Sequence, residues 1–103
     1  MRKVIDGKMY NTATANEIGS SGNGLGCSDF DYVVETLFVT TKGNWFLHGE
    51  GGARTKYGEG NGREIWGSEN IIPMTKQEAF RWASMNLNPL RFELYFKDMI
   101  EEA

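Results

Sequence analysis

Residues Asp31 to Gly52, DYVVETLFVTTKGNWFLHGEGG, constrain the fold of this chain more than any other stretch. Val33, Val34, Leu37, Phe38 and Val39 are β-branched or bulky apolar residues suited to a pleated surface, and Trp45, Phe46 and Leu47 answer them beyond a Lys42-Gly43 turn. The pattern predicts a β-hairpin over about 31–50. With Lys42-Gly43 as a two-residue loop, Thr40 faces Trp45, Val39 faces Phe46, Phe38 faces Leu47 and Leu37 faces His48. One face then carries Val34, Phe38, Trp45 and Leu47, and the other Val33, Leu37, Val39 and Phe46. A three-residue turn with a glycine bulge alters the pairing but leaves apolar groups on both sides. A sheet with one solvated face does not fit, so each face needs a cover. C-terminal helices supply one. The second falls to a short N-terminal helix, to the glycine-rich loop, or to another chain.

The flanking sequence extends this to a small antiparallel α+β fold. Lys3-Val4-Ile5 and Lys8-Met9-Tyr10 flank Asp6-Gly7, a pair that accepts the positive φ angles of a tight two-residue turn. Asn11 or Thr12 is read as the cap of a short helix through Ala13, Ala15 and Ile18, stopped by Gly19. SSGNGLGCS, 20–28, is loop by composition. Gly49 to Gly67 holds seven of the 13 glycines and also reads as loop. Ile71-Ile72 before Pro73 makes a short closing strand, which proline confines to an edge or ends. Thr75-Lys76-Gln77-Glu78 is a capping box that starts a helix over about 75–87, with Ala79, Trp82, Ala83 and Leu87 on one face. Asn88-Pro89 ends it and opens a second helix, about 89–101, on which Phe92, Tyr95, Phe96, Met99 and Ile100 recur at helical spacing.

At 103 residues, the chain suits one domain, 1–103, with one core. A net charge of −3 from 14 acids and 11 bases gives neither the basic field of a nucleic-acid binder nor the dense acidity of a DNA mimic. One cysteine, Cys27, leaves no intramolecular disulfide and fits a reducing compartment. No signal-peptide run and no apolar segment of membrane-spanning length is present, so the cytoplasm is the expected location.

Candidate chemistry is sparse. His48 is the only histidine, at a strand end beside glycines, but a general base needs a partner and nothing in the sequence brings Cys27 to it. A lone Cys and a lone His without close spacing make no zinc site. Gly49-Glu50-Gly51-Gly52-Ala53-Arg54-Thr55-Lys56 invites an anion-cradle reading, but neither GxxxxGK[ST] nor GxGxxG is present, and Glu50 repels an anion. No carboxylate pair is placed for acid and base roles. Tyr57 and Trp66, placed in loop, suit a protein interface, where aromatic and arginine anchors carry much of the binding energy.

The order KVIDGKMYNTATANEIGS, DFDYVVETLFVTTKGNWFLHGEGGARTKYGE and IIPMTKQEAFRWA resembles a family of small uncharacterised proteins carried on phages, plasmids and conjugative elements of Gram-positive bacteria. The resemblance covers most of the chain. Its most specific parts are the IDGKMY opening, KGNWFLHGEGG followed by ARTKY, and the IIPMT-x-x-EA helix entry. It carries over no catalytic residue. Small accessory proteins of such elements often counter host defence by binding an effector and blocking its nucleic-acid site. The resemblance therefore implies a non-enzymatic inhibitor of anti-CRISPR type acting on a Cas nuclease, without cofactor, metal or membrane, and without direct sequence-specific nucleic-acid binding. The residues expected to touch such a partner are Trp45, His48, Glu50, Arg54, Lys56, Tyr57, Arg63 and Trp66. Two other readings stand beside it: a nucleotide or anion binder using loop 49–56, and a self-associating structural protein whose uncovered hairpin face is a homodimer interface.

Overall fold

Residues 1–101 are described by a computed structural model of the chain. Asp6 and Gly7 take φ of 51° and 77°, the left-handed pair that a two-residue hairpin turn requires, and join β1 (Arg2–Ile5) to β2 (Lys8–Asn11). The chain then departs from expectation. No helix forms over 11–18. Asn11 accepts from Ala13 N and Thr14 N in a turn, and Asn16–Gly22 is a strand, β3. The alanines suggested helix, but pairing with the next strand decides the outcome, since β3 lies antiparallel on β4 (Val33–Val39) with a bulge between Glu17 and Gly19.

The central hairpin is present, formed by β4 and β5 (Trp45–Gly51). Its loop is the three-residue form. Gly43 N donates to Thr40 O at 2.9 Å, Thr40 N donates to Asn44 O at 2.8 Å, and Gly43 sits at φ 84°, which makes a turn followed by a glycine bulge. The two-residue register is thereby corrected by one position. Val39 opposes Trp45, Phe38 opposes Phe46, Leu37 opposes Leu47 and Thr36 opposes His48. Trp45 and Leu47 now share a face with Leu37 and Val39, while Phe46 joins Phe38.

The glycine-rich stretch is more ordered than its composition suggests. It holds the end of β5 and a small ladder of β6 (Glu59–Gly60) with β7 (Ile65–Trp66). It also holds Gly67, just before β8 (Ser68–Met74). Strand β8 closes the main antiparallel sheet, in the order β3-β4-β5-β8, with Pro73 on its edge strand as expected. The capping box forms as read: Thr75 Oγ1 accepts from Glu78 N at 3.1 Å and Glu78 Oε1 accepts from Thr75 N at 2.9 Å, starting α1 (Lys76–Asn86). Asn88 caps α2 (Pro89–Phe96) through Arg91 N at 2.9 Å. The second helix stops short of its expected end, passing into a 3-10 turn at Lys97–Met99. Among the described residues, no helix is long and apolar enough to cross a membrane.

Each sheet face is packed, in whole or in part, against other segments of this chain. On one, Ile18, Leu37 and Leu47 pack under Ala79, Trp82, Ala83 and Phe96 of the helices, and Trp45 stacks on Phe96 at 5.1 Å. On the other, Phe38 stacks on Phe46 at 5.1 Å and Tyr10 of β2 meets Phe46 edge-on at 5.4 Å, with Ile71 and Ile5 beside them. The cover on this part of the second face is the β1–β2 hairpin, in place of the short N-terminal helix, glycine-rich loop or second chain expected from sequence. The corner between the helices lies along β3. Leu87 packs where a Cβ on Gly19 would stand, and Arg91 Nε donates to Ile18 O at 2.6 Å.

Candidate functional site

The far end of the β4–β5 hairpin, away from its turn, is where chain segments converge. Asn23 organises the approach: its amide donates to Asp31 O at 2.6 Å, and its Oδ1 accepts from Leu25 N and Val33 N, each at 3.3 Å. Gly52 N then donates to Tyr32 O at 2.8 Å and Arg54 N to Phe30 O at 2.9 Å, lacing the segment before β4 to the segment after β5. Glycine is needed for this. A Cβ on Gly52 would lie 2.4 Å from Asp29 O and 2.5 Å from Phe30 O, and one on Gly67 would lie 2.4 Å from Gly51 O. The backbones of Gly51, Gly52 and Gly67 thus line a cleft of about 590 Å³ walled by Phe30, Tyr32, Glu50, Ile65, Trp66 and Glu69. Ile65 (62% exposed), Phe30 (58%) and Trp66 (43%) form the apolar part of its rim. Tyr32 OH donates to Glu50 Oε1 at 2.7 Å, and His48 Nε2 lies 3.1 Å from Glu69 Oε2, so both carboxylates are held in place.

On the helix-covered face, β4 carries a carboxylate among apolar groups. Glu35 opposes Gly49, and the missing side chain there leaves room for the Tyr57 ring, whose hydroxyl donates to Glu35 Oε2 at 2.5 Å. Trp82 Nε1 donates to Glu35 Oε1 at 3.2 Å, and Lys56 pairs with Oε2. Desolvation pushes the Glu35 carboxyl up, but hydrogen bonds from Lys56, Tyr57 and Trp82, with the Lys56 charge, outweigh it and hold the group below the usual carboxylate range. Desolvation also pushes the Tyr57 phenol up, reinforced by its bond to Glu35 and by that group's charge. The result is a knot tying the 53–58 loop and α1 to the sheet. Such a depressed carboxyl has a defined pH signature. The unfolded chain binds the Glu35 proton more tightly than the folded one, so its contribution to stability is present above the unfolded value of about 4.3 and is lost as pH falls through the folded value. Glu35→Gln is therefore expected to cost roughly 1.5–3 kcal/mol at pH 7 and much less at pH 3, read from urea unfolding at both pH values. An equal loss at both would show that the ionised carboxylate is not the stabilising form.

The eight expected contact residues divide clearly. Glu50 and Trp66 line the cleft, and Arg54 stands beside it, 5.4 Å from the Phe30 ring centroid and 3.0 Å from Asp31 Oδ2. Arg63 is exposed in the β6–β7 turn. His48 is half-buried on the β1–β2 side of the sheet. Lys56 is exposed but paired with Glu35. Trp45 is half-buried and stacks on Phe96 of α2, and Tyr57, 4% exposed, is corrected as a surface anchor because it fills the gap at Gly49. Phe30, Tyr32, Ile65 and Glu69 are added by the fold. Their common signal is proximity in space across three sequence segments, which one-dimensional patterning does not carry.

Of the amides available to an anion cradle over 49–56, those of Gly52, Arg54 and Thr55 donate to backbone carbonyls within the protein. The homodimer reading expects this face uncovered, and its Phe38–Phe46 part is packed against Tyr10 and Ile5 of the β1–β2 hairpin. Among the described residues, no group of three or more His, Cys, Asp and Glu side chains is placed to hold a metal ion. No protein-family model matches the chain, and no curated protein or solved structure matches it.

Proposed function

We propose that this chain is a non-enzymatic protein-binding inhibitor whose contact surface is the cleft at the end of the β4–β5 hairpin. The observation that carries the reading is the clustering of exposed Phe30, Ile65 and Trp66 around one cleft on a laced, glycine-lined framework. Exposed apolar rings gathered in one place mark contact surfaces, whereas isolated ones do not. The finer reading is a cytoplasmic, mobile-element protein of anti-CRISPR type, directed at a Cas effector nuclease. Glu50 and Glu69 support it through charge, since effector nucleases hold their heteroduplex in a positively charged channel.

The test is guide-directed DNA cleavage by a panel of type II effectors with and without added protein. Inhibition by the wild type is expected, weakened at least tenfold in Trp66→Ala, which removes an aromatic anchor of hot-spot type. Undiminished cleavage across the panel removes the anti-CRISPR reading.

A further inference from the structure

Strands β5 and β8 place Glu50 and Glu69 directly opposite each other. Opposed residues on one face of an antiparallel pair bring their Cβ atoms to about 4.5–5.5 Å, and like charges there are destabilising. The fold does not relieve this pair with a lysine or arginine: among the described residues lining the cleft there is no basic side chain. Each carboxylate is instead held by one oxygen, Glu50 Oε1 by Tyr32 OH and Glu69 Oε2 beside His48 Nε2. The second oxygen of each, Glu50 Oε2 and Glu69 Oε1, accepts no protein hydrogen bond among the described residues. Two positioned carboxylates with free lone pairs therefore line the same cleft as Trp66 and Phe30.

We propose that this cleft takes an arginine side chain from a partner protein, its guanidinium set between Glu50 and Glu69 and its flat face against an aromatic ring of the rim. The proposal rests on the protein-binding reading and supplies the chemistry of its partner. Arginine fits better than lysine because a planar fork of donors reaches two carboxylates at once, and because a guanidinium stacks on aromatic faces. A cation–π contact to Trp66 adds to the charge term. The chain itself shows a related pairing at the rim, where Arg54 lies over Phe30 and bonds Asp31. The apolar groups Ile65 and Phe30 call for an apolar residue next to the arginine in the partner segment.

The experiment titrates the isotope-labelled full chain with the peptide Ac-Leu-Arg-Leu-NH2 and with its citrulline counterpart, the uncharged isostere, following amide and indole resonances. Shifts confined to Gly51, Gly52, Trp66, Gly67 and Glu69 are expected with the arginine peptide, with roughly tenfold weaker binding of the citrulline form. Glu50→Gln combined with Glu69→Gln is expected to remove that preference while leaving the remaining spectrum in place, which reports that the fold is intact. Equal binding of the two peptides, shifts elsewhere, or no shift at millimolar peptide overturns the proposal. Effector assays separate it from the reading it rests on. Peptide binding in the cleft with undiminished DNA cleavage would remove the inhibitor and leave the arginine site standing. Inhibition unchanged by the double substitution would leave the inhibitor standing and remove the arginine site from it.

Discussion

Phe46→Ala is expected to destabilise the protein by about 3–5 kcal/mol, the largest loss of any single side chain outside the helical face. The ring is fully buried near the start of β5, stacked on Phe38 and met edge-on by Tyr10. Truncation removes its transfer free energy, leaves a cavity in a cluster of only four buried residues, and deprives the β1–β2 hairpin of its docking surface. For a domain whose total stability lies near 5–15 kcal/mol, that is a large fraction. Urea unfolding followed by far-ultraviolet circular dichroism measures it. Leu90→Ala, at an exposed position on α2, is the control and should stay within about 0.5 kcal/mol of wild type. A similar small loss for Phe46→Ala would mean that the second face is not a packed core.

Gly52→Ala is expected to cost at least about 1–3 kcal/mol and to open the cleft. The added methyl would stand against two carbonyl oxygens, those of Asp29 and Phe30, and backbone cannot swing aside as the end of a long side chain can. Relief requires the 29–32 segment to move away, which breaks the bonds from Gly52 N to Tyr32 O and from Arg54 N to Phe30 O. Gly26→Ala supplies the contrast, since a Cβ there meets open space, and the substitution should be neutral or slightly stabilising through the unfolded chain. Hydrogen exchange at Gly52 and Arg54 amides reads the local effect directly. Unchanged protection in Gly52→Ala would show that the segment accommodates the methyl without yielding.

These two substitutions also mark what patterning along the chain can and cannot reveal. The two-sided hairpin, both C-terminal helices and their caps were legible because each is a local signal: alternation, helical spacing, a threonine three residues before a glutamate, an asparagine before a proline. Strand β3 was not, because Ile18 is its only large apolar residue and its conformation comes from pairing with β4. Glu35 was not singled out either, although a carboxylate inside VVETLFV was the available clue. Its role depends on Gly49 across the ladder, on Tyr57 from the loop and on Trp82 from α1, groups that only the fold assembles. The register failed by one residue for a similar reason. Lys42-Gly43 can serve either turn, and the choice fell to Thr40, whose hydroxyl accepts from Asn44 N at 3.0 Å in the wider loop.

The corner of the helices beside β3 has a consequence for association. An unguarded strand edge invites a further strand, from another molecule or from an unfolded segment. Here Arg91 occupies Ile18 O on one margin of the sheet, with Leu87 pressed onto Gly19, and on the opposite margin Pro73 offers no N–H to a newcomer. At these two positions a further strand would find no free backbone partner. Arg91 and Pro73 thus act as local guards, and substitutions at either bear on edge pairing without touching the core.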